Sequence, residues 1–431
     1  MFLLILVLSL IFFPNSKSDF VVLEKTVSVV GVSSEYVTVM DSSNVIYEIK
    51  NDFGELFVGD KVVVEYTGII SDDSIIDIIP VSNDEENIIR RSNDGIFSKF
   101  SSLASKKIES MSLDEKIGQM LLVKYSSSAN DAIKNYNVGG FVFFEDNFLG
   151  KDEDSIINMI STLQKNSNIP LLTAVDEEGG SVVRVSSNSN LISSPFKSSR
   201  ELYLDGGFEL IKNDTLTKSF LLKKLGLNVN LAPVVDVSID SNDYIYDRTL
   251  GESTSKVSEY AKTVINASKN TGVSYVLKHF PGYGNNDDSH LGEVIDNRSL
   301  SEIEVNDLPP FEEGIKSGAE AILVSHNIVI NIDSSPASLS SGVHNLLRQD
   351  LGFTGIIMTD DLSMNAVSSI DDVIVKAVLA GNDILMVTDY EESFKSIKDS
   401  VLNGRLSEEL IDNAVHRIIS WKYYKGLFYD K

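Results

Sequence analysis

Ionisable residues gather in a few short stretches of this 431-residue sequence. Asp176-Glu177-Glu178-Gly179-Gly180 is followed by Arg184, and Asp236 precedes Asp247-Arg248. Lys278-His279-Phe280-Pro281-Gly282-Tyr283-Gly284 runs into Asp287-Asp288-Ser289-His290, and beyond His326 comes Asp360-Asp361. Cysteine is absent, which removes thiolate nucleophiles, disulfides, Fe–S clusters and Cys-based zinc sites together. Ser289 lies between Asp288 and His290 but lacks the sharp strand-to-helix elbow of a serine hydrolase. His279, His290 and His326 could gather around a metal, yet no H-E-x-x-H or H-x-H spacing occurs and Lys278 would repel a cation. What remains is a carboxylate nucleophile facing a proton donor on a loop, the logic of retaining glycosidases. That chemistry requires no metal or organic cofactor.

Such groups must be held by something rigid. Apolar runs recur at 120–123, 138–144, 171–176, 229–235, 273–278, 320–325, 355–360 and 383–387, each followed by a stretch of helical period. Continuous apolar strands alternating with helices imply a parallel sheet covered on its faces. Eight units close an α/β barrel of the (β/α)₈ TIM type, whose active site lies at the C-terminal strand ends. An open doubly wound sheet would be expected to carry a Gly-rich phosphate turn, and none is present. The ionisable groups follow the third to seventh runs, so the barrel brings them to one mouth.

Residues 1–108 read differently. Phe2 to Phe13 is an unbroken apolar run, shorter than the ~20 residues of a spanning helix and suited to a signal-peptide core. Pro14 ends it, and Ser16-Lys17-Ser18 places small residues before a cut at Asp19. Residues 1–18 are therefore expected to be a signal peptide, or an anchor if uncleaved, on a secreted or cell-surface protein of bacterial type. An uncleaved segment would be the only membrane contact. Residues 19–81 hold five short Val/Ile-rich runs split by turn residues, the pattern of a small all-β barrel of the OB or SH3-like kind. Residues 82–108 read as a linker that is partly helical, and 109–431 as the barrel. Lys+Arg 37 against Asp+Glu 63 gives a net charge of −26, which argues against a nucleic-acid partner.

The segments DEEGGSVVR (176–184), NLAPVVD (230–236), KHFPGYGNNDDSH (278–290), SPASLS (335–340) and TDDLSM (359–364) resemble glycoside hydrolase family 3, and within it the β-N-acetylglucosaminidase (NagZ-type) branch. The likeness spans roughly residues 109–425 and leaves residues 1–108 outside. The resemblance implies a retaining exo-β-N-acetylglucosaminidase acting on terminal β-GlcNAc in cell-wall or chitin-type saccharides. It implies that Asp360 is the nucleophile and that Asp288 and His290 form the acid/base dyad. Asp176, Arg184, Arg248, Lys278, His279 and Met364 then bind the sugar. Two departures stand out: Tyr283 replaces the family's usual His, and Glu177 replaces the commoner Gln or His after Asp176. The likeness is to compact members without a second α/β domain. A β-glucosidase, a GlcNAc phosphorylase and a non-catalytic wall-saccharide binder are the alternatives.

Other candidates have plainer readings. Asp361 reads as a helix N-cap or a supporting carboxylate, and Asp236 as a loop anchor. His344 reads as a helix-surface residue and His416 as a structural residue of the amphipathic helix over 407–422. His326 reads equally as a pocket residue or a satisfied core histidine, and Trp421 is not placed as a sugar platform.

Overall fold

The computed structural model describes residues 22–32, 36–40, 46–50, 61–67, 75–80, 95–286, 288–289 and 292–428. The expected signal or anchor segment, the first part of the linker and His290 lie outside these. The chain divides into two compact units between Arg91 and Ser92. In the first, strands β1 (Val22–Val32), β2 (Tyr36–Met40), β3 (Ile46–Lys50), β4 (Lys61–Thr67) and β5 (Ile75–Pro80) pair antiparallel in the order β3-β2-β1-β4-β5. Val37 and Val39 on β2, and Val62 and Val64 on β4, are buried in one cluster, as residues two apart on a strand share a face.

The second unit is built on eight parallel strands: β6 (Leu121–Lys124), β7 (Gly140–Phe143), β8 (Leu172–Val175), β9 (Val229–Asn230), β10 (Ser274–Phe280), β12 (Ala321–Val324), β14 (Ile356–Thr359) and β15 (Leu385–Val387). The short strands β11 (Ile295–Asp296) and β13 (Ile328–Val329) pair separately. Neighbours run β14-β12-β10-β9-β8-β7-β6-β15. The two ends meet where Thr359 N–H donates to the Ile384 carbonyl (3.0 Å) and Ile384 N–H to the Ile357 carbonyl (3.2 Å). The expected TIM-type sheet is thus present and nearly closed. Its strands are buried on both faces, which is why they are apolar without alternation.

The covering helices follow from local signals. Ser112, Ser198 and Ser299 each precede Glu by three residues, and each pair forms a reciprocal capping box at its helix start. Helix Glu153–Asn166 buries Ile156, Ile160 and Leu163 on one stripe.

Two expectations change in the structure. The run over 229–235 is regular only to Asn230, because Pro233 has no N–H to give the ladder. Contact with β10 continues through carbonyls, Ala232 accepting from Val276 N–H at 2.8 Å and Pro233 from Lys278 N–H at 3.2 Å, and Val235 N–H donates back to the Lys278 carbonyl at 2.8 Å. The linker expected over 82–108 is, over its described part, a 3₁₀ turn (Gly95–Phe100) and a helix (Ser101–Glu109). Both pack on the C-terminal helix Glu408–Tyr424 through buried Phe97, whose ring lies 5.4 Å from that of Tyr424.

Gly179, in the turn after β8, has φ +107°, and a Cβ there would lie 2.1 Å from the Lys197 carbonyl oxygen. We expect Gly179→Ala to cost about 1–3 kcal/mol, since neither the backbone nor its neighbour accommodates the methyl. Denaturant unfolding that superimposes on wild type would contradict this.

Candidate active site

A cavity of about 540 Å³ opens at the C-terminal ends of the barrel strands. Its lining includes Asp176, Arg184, Arg248, Lys278, His279, Asp360 and Met364, seven of the nine residues singled out from the sequence. Phe144, Val182, Leu231, Leu323 and Met386 supply apolar wall. Asp288 is half-buried outside that lining, and its carboxylate acts on the hydroxyl of Tyr244, which does line the cavity.

A buried ion cluster forms the polar side. Lys278 Nζ donates to Asp176 Oδ1 and to Glu178 Oε1, both at 2.7 Å. Arg248 grips the same Glu178 carboxylate through Nη2 at 2.7 Å and Nε at 3.0 Å. Burial alone would raise the Glu178 carboxyl, but Lys278 and then Arg248 overcome it and hold the group well below the usual carboxylate range. Burial also works against the Lys278 ammonium, and Asp176 and Glu178 more than restore it. Glu178, Lys278 and Arg248 are therefore each held in the charged form.

Sequence reading missed Glu178. The chain leaves β8 extended, so residues 176 and 178 share one face and Glu177 takes the other, the alternation that could have found it. Glu177 points away from the cavity and binds the loop beyond. It accepts from the backbone N–H of Arg184 (2.8 Å) and Val185 (2.6 Å) and from the Ser186 hydroxyl. Its replacement of the commoner Gln or His thus serves the loop that carries Arg184. Arg184 lines the cavity, and its Nε is buried without a hydrogen-bond partner among the described residues.

Asp236, fully buried, closes the turn after β9 and accepts three hydrogens. These come from His279 Nδ1 (2.7 Å), His279 N (3.1 Å) and Tyr283 N (2.7 Å). Arg248 has only N–H groups to give, and its Nη2 lies 3.2 Å from His279 Nε2. That contact makes Nε2 the acceptor and places the His279 hydrogen on Nδ1, facing Asp236.

Asp360 follows β14, and its Oδ1 accepts from the Asp361 N–H at 2.8 Å. Burial pushes its carboxyl up, but His326, His279, the Asp361 amide and Lys278 outweigh that and bring it below the ordinary value. His326 is buried behind it, with Nδ1 2.7 Å from Ser338 Oγ and Nε2 3.0 Å from the Asp361 carbonyl, so it supports the turn and does not line the cavity. Asp361 lines the cavity, and its Oδ1 accepts from Ser363 N–H at 2.9 Å. It therefore caps a turn, because no helix starts there. His344, read as a surface residue, is buried with Nδ1 2.7 Å from the Ser340 carbonyl. His416 contacts Ser105 Oγ at 3.2 Å, and buried Trp421 donates to Glu320 at 2.7 Å; both are structural.

A strand-end carboxylate held below its ordinary value with buried Lys278 nearby, in a pocket with apolar walls, can attack an electrophilic carbon, while the polar side can hold hydroxyl groups. Known proteins resemble this chain. Residues 112–421 match the model of the glycosyl hydrolase family 3 N-terminal domain. A β-hexosaminidase of Xylella fastidiosa (strain M23) is 32% identical over 244 residues, covering 56% of this chain and 72% of that protein. The β-hexosaminidase LpqI of Mycobacterium tuberculosis is 31% identical over 325 residues, covering 72% and 82%. The solved family 3 β-N-acetylglucosaminidase of a Paenibacillus species superposes with a TM-score of 0.70 at 29% identity, covering 74% of this chain and 64% of that one. With family model, fold and strand-end residues in accord, this chain belongs to glycosyl hydrolase family 3 and is a glycoside hydrolase.

Proposed function

We propose that this enzyme is a retaining exo-β-N-acetylglucosaminidase that removes terminal non-reducing β-GlcNAc, with Asp360 as nucleophile and Asp288 and His290 as acid/base dyad. The observation that carries the reading is Asp360 itself, ionised at the end of β14 in the cavity that holds the Asp176–Lys278–Glu178–Arg248 cluster. The names of the relatives, β-hexosaminidase and β-N-acetylglucosaminidase, support the choice of sugar.

In the first step an Asp360 oxygen attacks the anomeric carbon. The glycosidic bond breaks, and its electron pair stays on the leaving oxygen, which takes a proton from His290. In the second step His290 takes a proton from water, whose oxygen attacks the same carbon and displaces Asp360. A histidine suits both roles near neutral pH because its unperturbed pKa is ~6.5. Lys278, Arg248 and Arg184 offer donors to the sugar, Asp176 accepts, and Met364 contributes apolar surface.

The N-terminal apolar run supports export, with wall or chitin-type saccharides as substrates, and sequencing the mature N-terminus tests a cut before Asp19. The strand order of the first unit supports an OB-type barrel, since β3-β2-β1-β4-β5 is that barrel opened between its third and fifth strands.

The test of the activity is nitrophenol release from the 4-nitrophenyl β-glycosides of GlcNAc and glucose, with and without phosphate. We expect the GlcNAc glycoside to be cleaved preferentially and phosphate to leave the rate unchanged. Preference for the glucoside, or a rate that needs phosphate, would move the enzyme to another activity of the family. Binding of GlcNAc without turnover would make it a saccharide-binding protein.

A further inference from the structure

Tyr283 departs from the pattern of its relatives and takes no part in the reaction described above, yet it is 3% exposed and fully engaged. Its hydroxyl donates to Ser289 Oγ at 2.9 Å and accepts from Ser289 N–H at 2.8 Å. Its own N–H donates to Asp236 Oδ1, the carboxylate that also orients His279. The ring stands edge-on to His279 at 5.7 Å and tilts against Tyr244 at 5.7 Å. One side chain therefore joins the sugar-contact wall to Ser289, the chain neighbour of both Asp288 and His290.

We propose that Tyr283 is a positioning residue that latches the acid/base segment through Ser289, and so governs protonation of the leaving group. The inference rests on the acid/base assignment given above. Three features make the latch specific. Both bonds converge on one residue, and one of them is to backbone, so Ser289 is fixed in position as well as in rotamer. Asp288, the residue before Ser289, lies near enough to the Tyr244 hydroxyl for its carboxylate to raise that phenol. Gly282, which delivers Tyr283, has φ +126° and sits so close to Asp307 that a Cβ would lie 2.4 Å from the Asp307 Cβ. The backbone path into the latch is thus fixed as well. Burial pushes the Tyr283 phenol up to about 12, so the hydroxyl keeps the hydrogen it donates at any pH at which the enzyme would be assayed.

A latch on the proton donor differs from a merely structural tyrosine in which substrates it affects. Nitrophenolate departs with little proton assistance, whereas a sugar alkoxide cannot. Tyr283→Phe removes only the hydroxyl. With N,N′-diacetylchitobiose we expect kcat/KM to fall roughly 10- to 100-fold, the scale on which a displaced catalytic group loses rate. On the 4-nitrophenyl GlcNAc glycoside the loss in kcat/KM, which reports only the step that expels the leaving group, should stay within about threefold, because general-acid assistance adds little to a leaving group that is already good. Ser289→Ala, which deletes one of the two bonds, should show the same selectivity to a smaller degree, and it serves if Tyr283→Phe does not fold. His290→Gln, assayed alongside, separates the two claims. If His290→Gln is selective for the disaccharide and the Tyr283 and Ser289 variants are not, the latch is wrong and the dyad stands. If His290→Gln shows no such selectivity, the dyad reading fails and the latch with it.

Discussion

Asp360→Asn should lower kcat on a GlcNAc glycoside by roughly 10³-fold or more, the scale of losing a covalent nucleophile. The amide oxygen keeps the shape and the Asp361 N–H contact but cannot form the glycosyl ester. Thermal stability should stay near wild type, because the change removes a partly buried charge without unpairing a neighbour. A second variant makes the assignment positive: Asp360→Gly supplied with azide should regain turnover and release a glycosyl azide of inverted configuration. The pH profile adds a further constraint. Asp360 titrates below its ordinary value, so the acid limb of activity above about pH 4 belongs to another group. An Asn variant retaining more than a tenth of wild-type turnover would remove Asp360 from the role.

Glu178→Gln should be the most damaging single change to the polar wall. It leaves buried Arg248 facing a neutral amide and Lys278 with Asp176 as its one carboxylate partner, and breaking a buried ion pair in this way costs about 3–5 kcal/mol. Activity should collapse with it, since both cations also face the substrate. The double variant Glu178→Gln/Lys278→Met should recover part of the stability but not the activity, because one surplus positive charge is gone while the sugar donor is lost. The wild-type pH dependence has a defined sign. The folded Glu178 pKa lies below its ordinary 4.5. Its stabilisation is therefore fully present above that value and drains away as pH falls through the depressed folded pKa. Denaturant unfolding of the three proteins at neutral pH checks the energies. A single variant as stable as wild type would show that the cluster's charges are solvated.

The barrel was legible because strands covered on both sides read as unbroken apolar runs, and the residues that follow them necessarily collect at one end. Seven of the nine site residues that the family resemblance implied line one cavity there. What was illegible has local physical causes. Glu178 was passed over because three acidic residues in a row look alike until the strand's alternation sorts them into opposite faces. His344 precedes Asn345 and was read as surface, yet its ring turns inward against the Ser340 carbonyl. The stretch 95–109 looked like a linker because Ser and Lys cover its outer side, while Phe97, Ala104 and Ile108 are spaced to bury. Tyr283 was visible as a departure, but its bond to Ser289 depends on a loop path that no spacing rule encodes.

The Asp176–Glu178–Lys278–Arg248 group has a consequence for how the enzyme meets its substrate. Two negative and two positive charges compensate one another before any sugar arrives. An uncharged saccharide entering the pocket therefore displaces no counterions and neutralises nothing, so its affinity is decoupled from ionic strength. The rest of the molecule is strongly anionic at −26, and its field acts at long range on anything that carries charge. Saccharides bearing carboxylates are slowed on approach in dilute buffer and released from that penalty as salt rises, whereas neutral chitin-type fragments pass through the same field unaffected.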